Sequence, residues 1–177
     1  AAADIAAADW TLATFEAPAP AIFRAFALAR AARRRTLLNA GPWRPITPEQ
    51  NALTDVLVMN ESEAAGYFAR PDLAQASLAD WRAALAELPR AQGRQGRWLV
   101  VTLAARGAVA RGPDGAVVDA PAHVVAQVDA TGAGDAFAAG LACALHEGRD
   151  DPLAFANACG AMVARQRGVL AALPTRA

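Results

Sequence analysis

The stretch Val128-Asp129-Ala130-Thr131-Gly132-Ala133-Gly134-Asp135-Ala136-Phe137-Ala138-Ala139-Gly140 decides how the rest of the chain is read. An extended apolar run, His123 to Val128, gives way here to an alanine-rich run of helical periodicity, with Gly132 and Gly134 at the junction. The pattern predicts a strand, a tight turn and a helix start. The first N–H groups of a helix lack intrahelical partners and carry the positive end of its dipole. The amides of Gly132, Ala133 and Gly134 are therefore candidates to hold a phosphate or a developing anion. Asp135, in the first helical turn, either stabilises the helix end or stands beside that anion site as a base for an attacking hydroxyl.

Outward from this turn, helix and strand signals alternate. Thr36-Leu37-Leu38-Asn39, Asp55-Val56-Leu57-Val58-Met59 and Trp98-Leu99-Val100-Val101-Thr102-Leu103 are short apolar runs, the pattern of parallel strands covered on both faces. Helices are predicted over Pro18 to Arg35, Pro48 to Leu53, the residues after Asn60 to about Phe68, and one or two within Asp72 to Leu88. The Arg33-Arg34-Arg35 run is placed at the carboxyl end of the first of these, solvated and favoured by the dipole. Asp9 to Glu16 reads as an opening strand, Pro89 to Arg97 as a loop, and Pro113-Asp114-Gly115 as a hairpin turn. A helix from the glycine turn to about His146, with Gly148 as its C-cap, and one from Pro152 to about Arg165 complete the reading.

The strand at 55–59 ends in Asn60-Glu61-Ser62-Glu63, and the carboxyl end of a buried parallel strand is where α/β folds build their sites. On the residues alone, Asn60 or Ser62 caps the following helix, with acids in its first turn.

Composition narrows the partners. The 177 residues are 55% hydrophobic with formal net charge +0, which offers no electrostatic reason to bind nucleic acid or an anionic membrane. Every Lys/Arg position is arginine, so lysine chemistry is excluded. Cys143 and Cys159 fall in predicted apolar helices and are expected as buried free thiols, in keeping with a reducing, cytoplasmic compartment. His123 and His146, without CxxC or HExxH spacing, do not suggest a zinc site. No apolar run is long enough to span a membrane and no basic leader opens the sequence, so a soluble protein without signal peptide is expected.

Asp129-Ala130-Thr131-Gly132-Ala133-Gly134-Asp135 resembles the D-T-x-G-A-G-D signature of the ribokinase-like (phosphofructokinase B) carbohydrate kinases, with Ala130 where Thr is usual. Further motifs follow the family's order. Leu38-Asn39-Ala40-Gly41-Pro42 is similar to its L-N-P-A-P stretch, and Asn60 with Glu63 to its N-x-x-E motif. Thr102, Ala104 and Gly107 fall on its T-x-G-x-x-G element, with Ala104 in place of the first glycine; a positive φ there would strain alanine. Arg165 to Thr175 is similar to its T-R-x-G ending.

The resemblance implies an α/β fold, a three-layer α/β/α sandwich with a mostly parallel central sheet. Residues 1–177 are then a single α/β domain, the C-terminal nucleotide-binding and catalytic part of such a kinase, whose N-terminal part and small β-sheet lid are absent from this chain. It implies ATP-dependent phosphorylation of a sugar hydroxyl, with Asp135 as general base and Gly132, Ala133 and Gly134 as the hole for the transferred phosphoryl group. Asn60 and Glu63 would organise Mg2+, usually through water, and the phosphates. Thr102, Ala104 and Gly107 would receive the nucleotide, and Asn157 would face the adenine or, on the blander reading, solvent. Asp129 with the carboxyl tail would hold K+. ATP and a small sugar are the implied partners, with a homodimer as the assembly of the full-length protein. Ribose is the first-choice acceptor, with fructose, ketodeoxygluconate and adenosine as alternatives. A non-catalytic nucleotide-binding or structural remnant of such a kinase is the other reading. A dinucleotide-binding oxidoreductase is disfavoured, because its glycine fingerprint belongs after the first strand.

Overall fold

The computed structural model describes residues 1–88, 97–168 and 172–173. They fall into two compact units, Ala1–Thr102 with Val109–Val118, and Leu103–Ala108 with Asp119–Ala177.

The first unit runs α1 (Ala2–Ala7), β1 (Trp10–Thr14), α2 (Ala19–Ala31), β2 (Arg35–Asn39), α3 (Pro48–Ala52), β3 (Val56–Asn60), α4 (Glu61–Phe68), a 3-10 turn (Pro71–Gln75), α5 (Leu78–Ala86) and β4 (Trp98–Thr102). β1 to β4 pair in parallel, and with β5 (Ala108–Arg111) and β6 (Val117–Ala120) they make a six-stranded sheet in chain order. The α/β architecture with a mostly parallel sheet is the expected one. Its cause is visible in β3: Val56, Leu57, Val58 and Met59 are each at most 2% exposed, so a run with no polar alternation is buried on both faces. Each such side chain contributes about 1.5–3 kcal/mol by burial. Register pairs Thr14 with Asn39 and Asn60 with Thr102, which sets polar residues at the carboxyl ends of the strands along one edge of the sheet.

The arginine run departs from expectation. Helix α2 stops at Ala31, and Arg33 takes a left-handed conformation, φ 59°, while the Arg34 N–H donates back to the Ala29 carbonyl. That is the geometry of a helix stop, after which Arg34 pairs with Asp9 at 3.1 Å and Arg35 opens β2 over the Trp10 ring. The three charges are thus distributed between a helix stop and a strand start. Helix α1 is a second difference, formed from an alanine-rich run that carries helical propensity.

In the second unit α6 (Ala133–Glu147) and α7 (Pro152–Ala164) pack closely. Contact is tight enough that a β-carbon at Gly140 would stand 2.7 Å from Cys159 Sγ. The expected strand from His123 to Val128 is absent: these residues are irregular, with Val124 at 102% and Val128 at 54% exposure. An apolar run becomes a strand only when another backbone supplies its ladder bonds, and here, among the described residues, only the N–H groups of Val128 and Asp129 are taken up, by the Ala164 carbonyl. Cys143 and Cys159 are free thiols, as expected, but Cys143 is exposed and Cys159 half-buried, because helical periodicity turns Cys143 outward from α6. Among the described residues no helix is long and apolar enough to cross a membrane. The loop expected at Pro89 to Arg97 lies outside the described residues except for Arg97, and the tail is described only to Gly168 and at 172–173.

Candidate functional site

In the first unit the capping reading of Asn60 is realised. Its Oδ1 accepts the Glu63 N–H at 2.9 Å and the Ser62 hydroxyl at 2.8 Å, and Glu63 Oε2 accepts the Asn60 N–H at 2.8 Å. Glu63 is 8% exposed, and burial pushes its carboxyl above the usual carboxylate range, while the Asn60 N–H pulls in the other direction. The other oxygen, Oε1, lies over Gly41, 2.9 Å from where a β-carbon would stand. Residues at the end of β2 and the start of α4 are thereby brought together: the Leu38 to Pro42 stretch presses its glycine against the Glu63 carboxylate. Gly41 could not be weighted from sequence, since nothing local shows what its missing side chain makes room for. Thr102 sits beside Asn60 on the neighbouring strand, its hydroxyl 3.4 Å from the Met59 carbonyl.

In the second unit Gly132 is the N-cap of α6 at φ 81°, a left-handed conformation that glycine adopts without cost, and no side chain caps this helix. Asp129 Oδ1 accepts the Thr131 N–H at 2.9 Å and tightens the approach to the turn. Thr131, first by its side chain and then by its N–H, holds the Asp129 carboxyl below the usual range. The Ala133 N–H is engaged by the Ala130 carbonyl at 3.0 Å. Among the described residues the N–H groups of Gly132 and Gly134 have no such acceptor, and a β-carbon at Gly134 would meet nothing within 4 Å. Asp135 is exposed in the same turn. Among the described residues this end of the helix presents two amides without a backbone acceptor and an exposed carboxylate together.

Ala104 takes the positive φ, 51°, that its place in the glycine-rich element raised as a concern. It begins a 3-10 turn, Ala104–Arg106, that ends at Gly107 with φ 96°. Asn157 is 9% exposed, and its amide nitrogen donates to the carbonyls of Ala120 and Pro121, each at 3.0 Å. The exposed-helix reading of this residue is overturned, and the donor group that a purine edge would need is engaged by backbone. Among the described residues no group of three His, Cys, Asp or Glu is disposed to hold a metal ion.

The chain is similar to known proteins. The sequence profile of the pfkB family carbohydrate kinases matches residues 12–176. The bifunctional ribokinase/ribose-5-phosphate isomerase A of Fructilactobacillus sanfranciscensis is 30% identical over 174 residues, covering 96% of this chain and 31% of that protein. The ribokinase of Staphylococcus aureus is 26% identical, covering 94% of this chain and 54% of that one. The chain thus spans 31% of the first of these relatives and 54% of the second. The structure of Arabidopsis thaliana ribokinase complexed with ribose and ATP superposes with TM-score 0.78 at 23% identity, over 98% of this chain and 55% of that one. With the profile matching most of its length, the chain belongs to the pfkB family of carbohydrate kinases.

Proposed function

We propose that this chain is the nucleotide-binding and catalytic part of a kinase that transfers the γ-phosphoryl group of ATP to a sugar hydroxyl, with ribose as the first acceptor. The observation that carries the reading is the open N-terminus of α6, where a left-handed glycine cap, open space over Gly134 and the exposed Asp135 share one turn. In this reading Asp135 takes the proton of the attacking hydroxyl. The N–H groups of Gly132 and Gly134, which have no backbone acceptor among the described residues, meet the charge that develops on the transferred group. Phosphoryl transfer asks mainly for positioning and charge stabilisation, so the scarcity of His and the absence of Lys are no obstacle. Thr102, Ala104 and Gly107 receive the nucleotide. The solved ribokinase complex with ribose and ATP supports both substrates by likeness of fold.

Glu63 fits Mg2+: one oxygen is engaged in the helix cap, which orients the group, and the other remains for a hydrated hard cation, with Asn60 beside it. That ion supplies positive charge to the phosphates of the bound nucleotide. Potassium fits less well. The Asp129 carboxyl already accepts the Thr131 N–H and lies toward the Gly168 N–H, an arrangement suited to holding a negative group in place. A homodimer of the full-length protein is the assembly in keeping with this reading. The remnant reading draws on Ala104, whose left-handed backbone costs an alanine about 1–2 kcal/mol.

A calorimetric titration with Mg-ATP, followed by an assay of ADP formation with ribose, fructose, ketodeoxygluconate and adenosine, decides. Sugar-dependent ADP release is expected. Binding without transfer favours the remnant, and no binding overturns the proposal.

A further inference from the structure

Asn157 is a buried polar side chain with no part in the chemistry proposed above. Both N–H bonds of an amide are available to donate, and the Asn157 nitrogen makes contacts of 3.0 Å with the carbonyls of two successive residues, Ala120 and Pro121. That short strap of backbone is the wall against which Gly107 rests. A β-carbon at Gly107 would come within 2.1 Å of the Ala120 oxygen and 2.7 Å of Ala122 N and the Pro121 carbonyl carbon. Gly107 in turn closes the loop from Leu103, whose N–H donates to the Gly107 carbonyl at 2.7 Å, while the Gly107 N–H donates to the Ala104 carbonyl at 3.1 Å.

The same stripe of α7 reaches the other parts of this unit. At Gly160 a β-carbon would stand 3.0 Å from the Ala133 carbonyl, at the first residue of α6. The Ala164 carbonyl accepts the N–H groups of Val128 and Asp129, where the chain enters the glycine turn. Positions 157, 160 and 164 are spaced three and four apart and lie along one face of a helix. One helix face therefore sets the backbone behind the Leu103 to Gly107 loop, the start of α6 and the approach to it.

We propose that Asn157 is a positioning residue. By clamping Ala120 and Pro121 it fixes the wall behind Gly107, and so the conformation of the loop that takes the nucleotide, in register with the α6 N-terminus. It does this without touching the base. The inference deepens the kinase reading and rests on Leu103 to Gly107 being the nucleotide loop.

The variant Asn157→Asp keeps the shape but turns an oxygen toward two carbonyl oxygens. ATP affinity is expected to fall about tenfold or more, the loss that follows when buried acceptors lose their donor, with kcat at saturating ATP within a few-fold of the parent. The ratio of ATP to GTP affinity should stay unchanged, because the strap acts on the loop and does not read the base. A changed ratio would mean direct base contact and overturn the proposal, as would unaltered ATP affinity. If the Asp variant does not fold, Asn157→Ser, which keeps one donor, carries the test with a smaller expected loss. Amide hydrogen exchange separates this inference from the kinase reading. Faster exchange at Leu103 and Gly107 in the variant is expected whatever the chain does with ATP, and unchanged exchange there overturns the role of Asn157 even in an active kinase. Failure of the unsubstituted chain to bind Mg-ATP would instead sink the reading of the loop.

Discussion

Helix α4 and helix α6 begin in opposite ways. At α4 the orphan donors are met from within, by Asn60 Oδ1 on the Glu63 N–H and by Glu63 Oε2 on the Asn60 N–H. At α6 the cap is Gly132, which has no side chain to offer, and among the described residues the N–H groups of Gly132 and Gly134 have no backbone acceptor, beside an exposed Asp135. The two ends share the same dipole, and in both the first N–H groups have no partner within the helix backbone. A helix start closed by its own side chains contributes stability and orients one acid. A helix start left open contributes less stability and is available to an anion. Glu63 and Asp135 thus occupy the same position in their helices, third in the first turn, and do different work.

This contrast can be broken most sharply at Asp135. Asp135→Asn in the full-length protein should lower kcat by roughly 10²–10⁴-fold with ATP binding and thermal stability nearly unchanged, since the base acts only in the chemical step. Near-normal turnover would remove Asp135 from the mechanism. Gly134→Ala should separate activity from stability. With nothing within 4 Å of the added methyl, the helix gains up to about 1 kcal/mol in urea unfolding, while kcat/KM falls at least about tenfold as the methyl enters the space over the amides. A variant that is both more stable and fully active would show that the open end is not used. At α4 the order reverses: Asn60→Ala should cost about 1 kcal/mol of stability, read from the urea midpoint, because an N-cap and its reciprocal bond are lost.

The smallest effect is expected at Glu63, and its sign follows from burial. A carboxyl raised above its value in the unfolded chain binds its proton more tightly when folded. From about pH 4.5 up through the raised value, stability therefore falls as pH rises, and the penalty stands in full above it. Glu63→Gln, which can still accept the Asn60 N–H, should flatten that slope in chemical unfolding followed across pH and raise the Mg2+ concentration needed for activity. An unchanged Mg2+ titration would leave Glu63 with its cap alone.

Much of the candidate site was legible because its signals are local. The glycine turn, the N-x-x-E spacing and the apolar strand runs at 36–39, 55–59 and 98–103 each follow from neighbours within a few residues, and each lies where the sequence places it. Asn157 shows the limit. A helical asparagine reads as a solvent or ligand contact until the chain from 120 to 121 is folded against it.

The sequence by itself determined the strands at 36–39, 55–59 and 98–103, the glycine turn into α6, the cap at Asn60, and membership of a kinase family. Propensity, periodicity and capping act over one or two turns of chain. Only the tertiary structure decided that Glu63 is buried over Gly41, that Cys143 faces outward, that His123 to Val128 finds no strand partner, and that the arginine run divides between a helix stop and a strand. Burial and ladder pairing are properties of residues far apart in sequence, and no local pattern records which backbone will arrive to cover them.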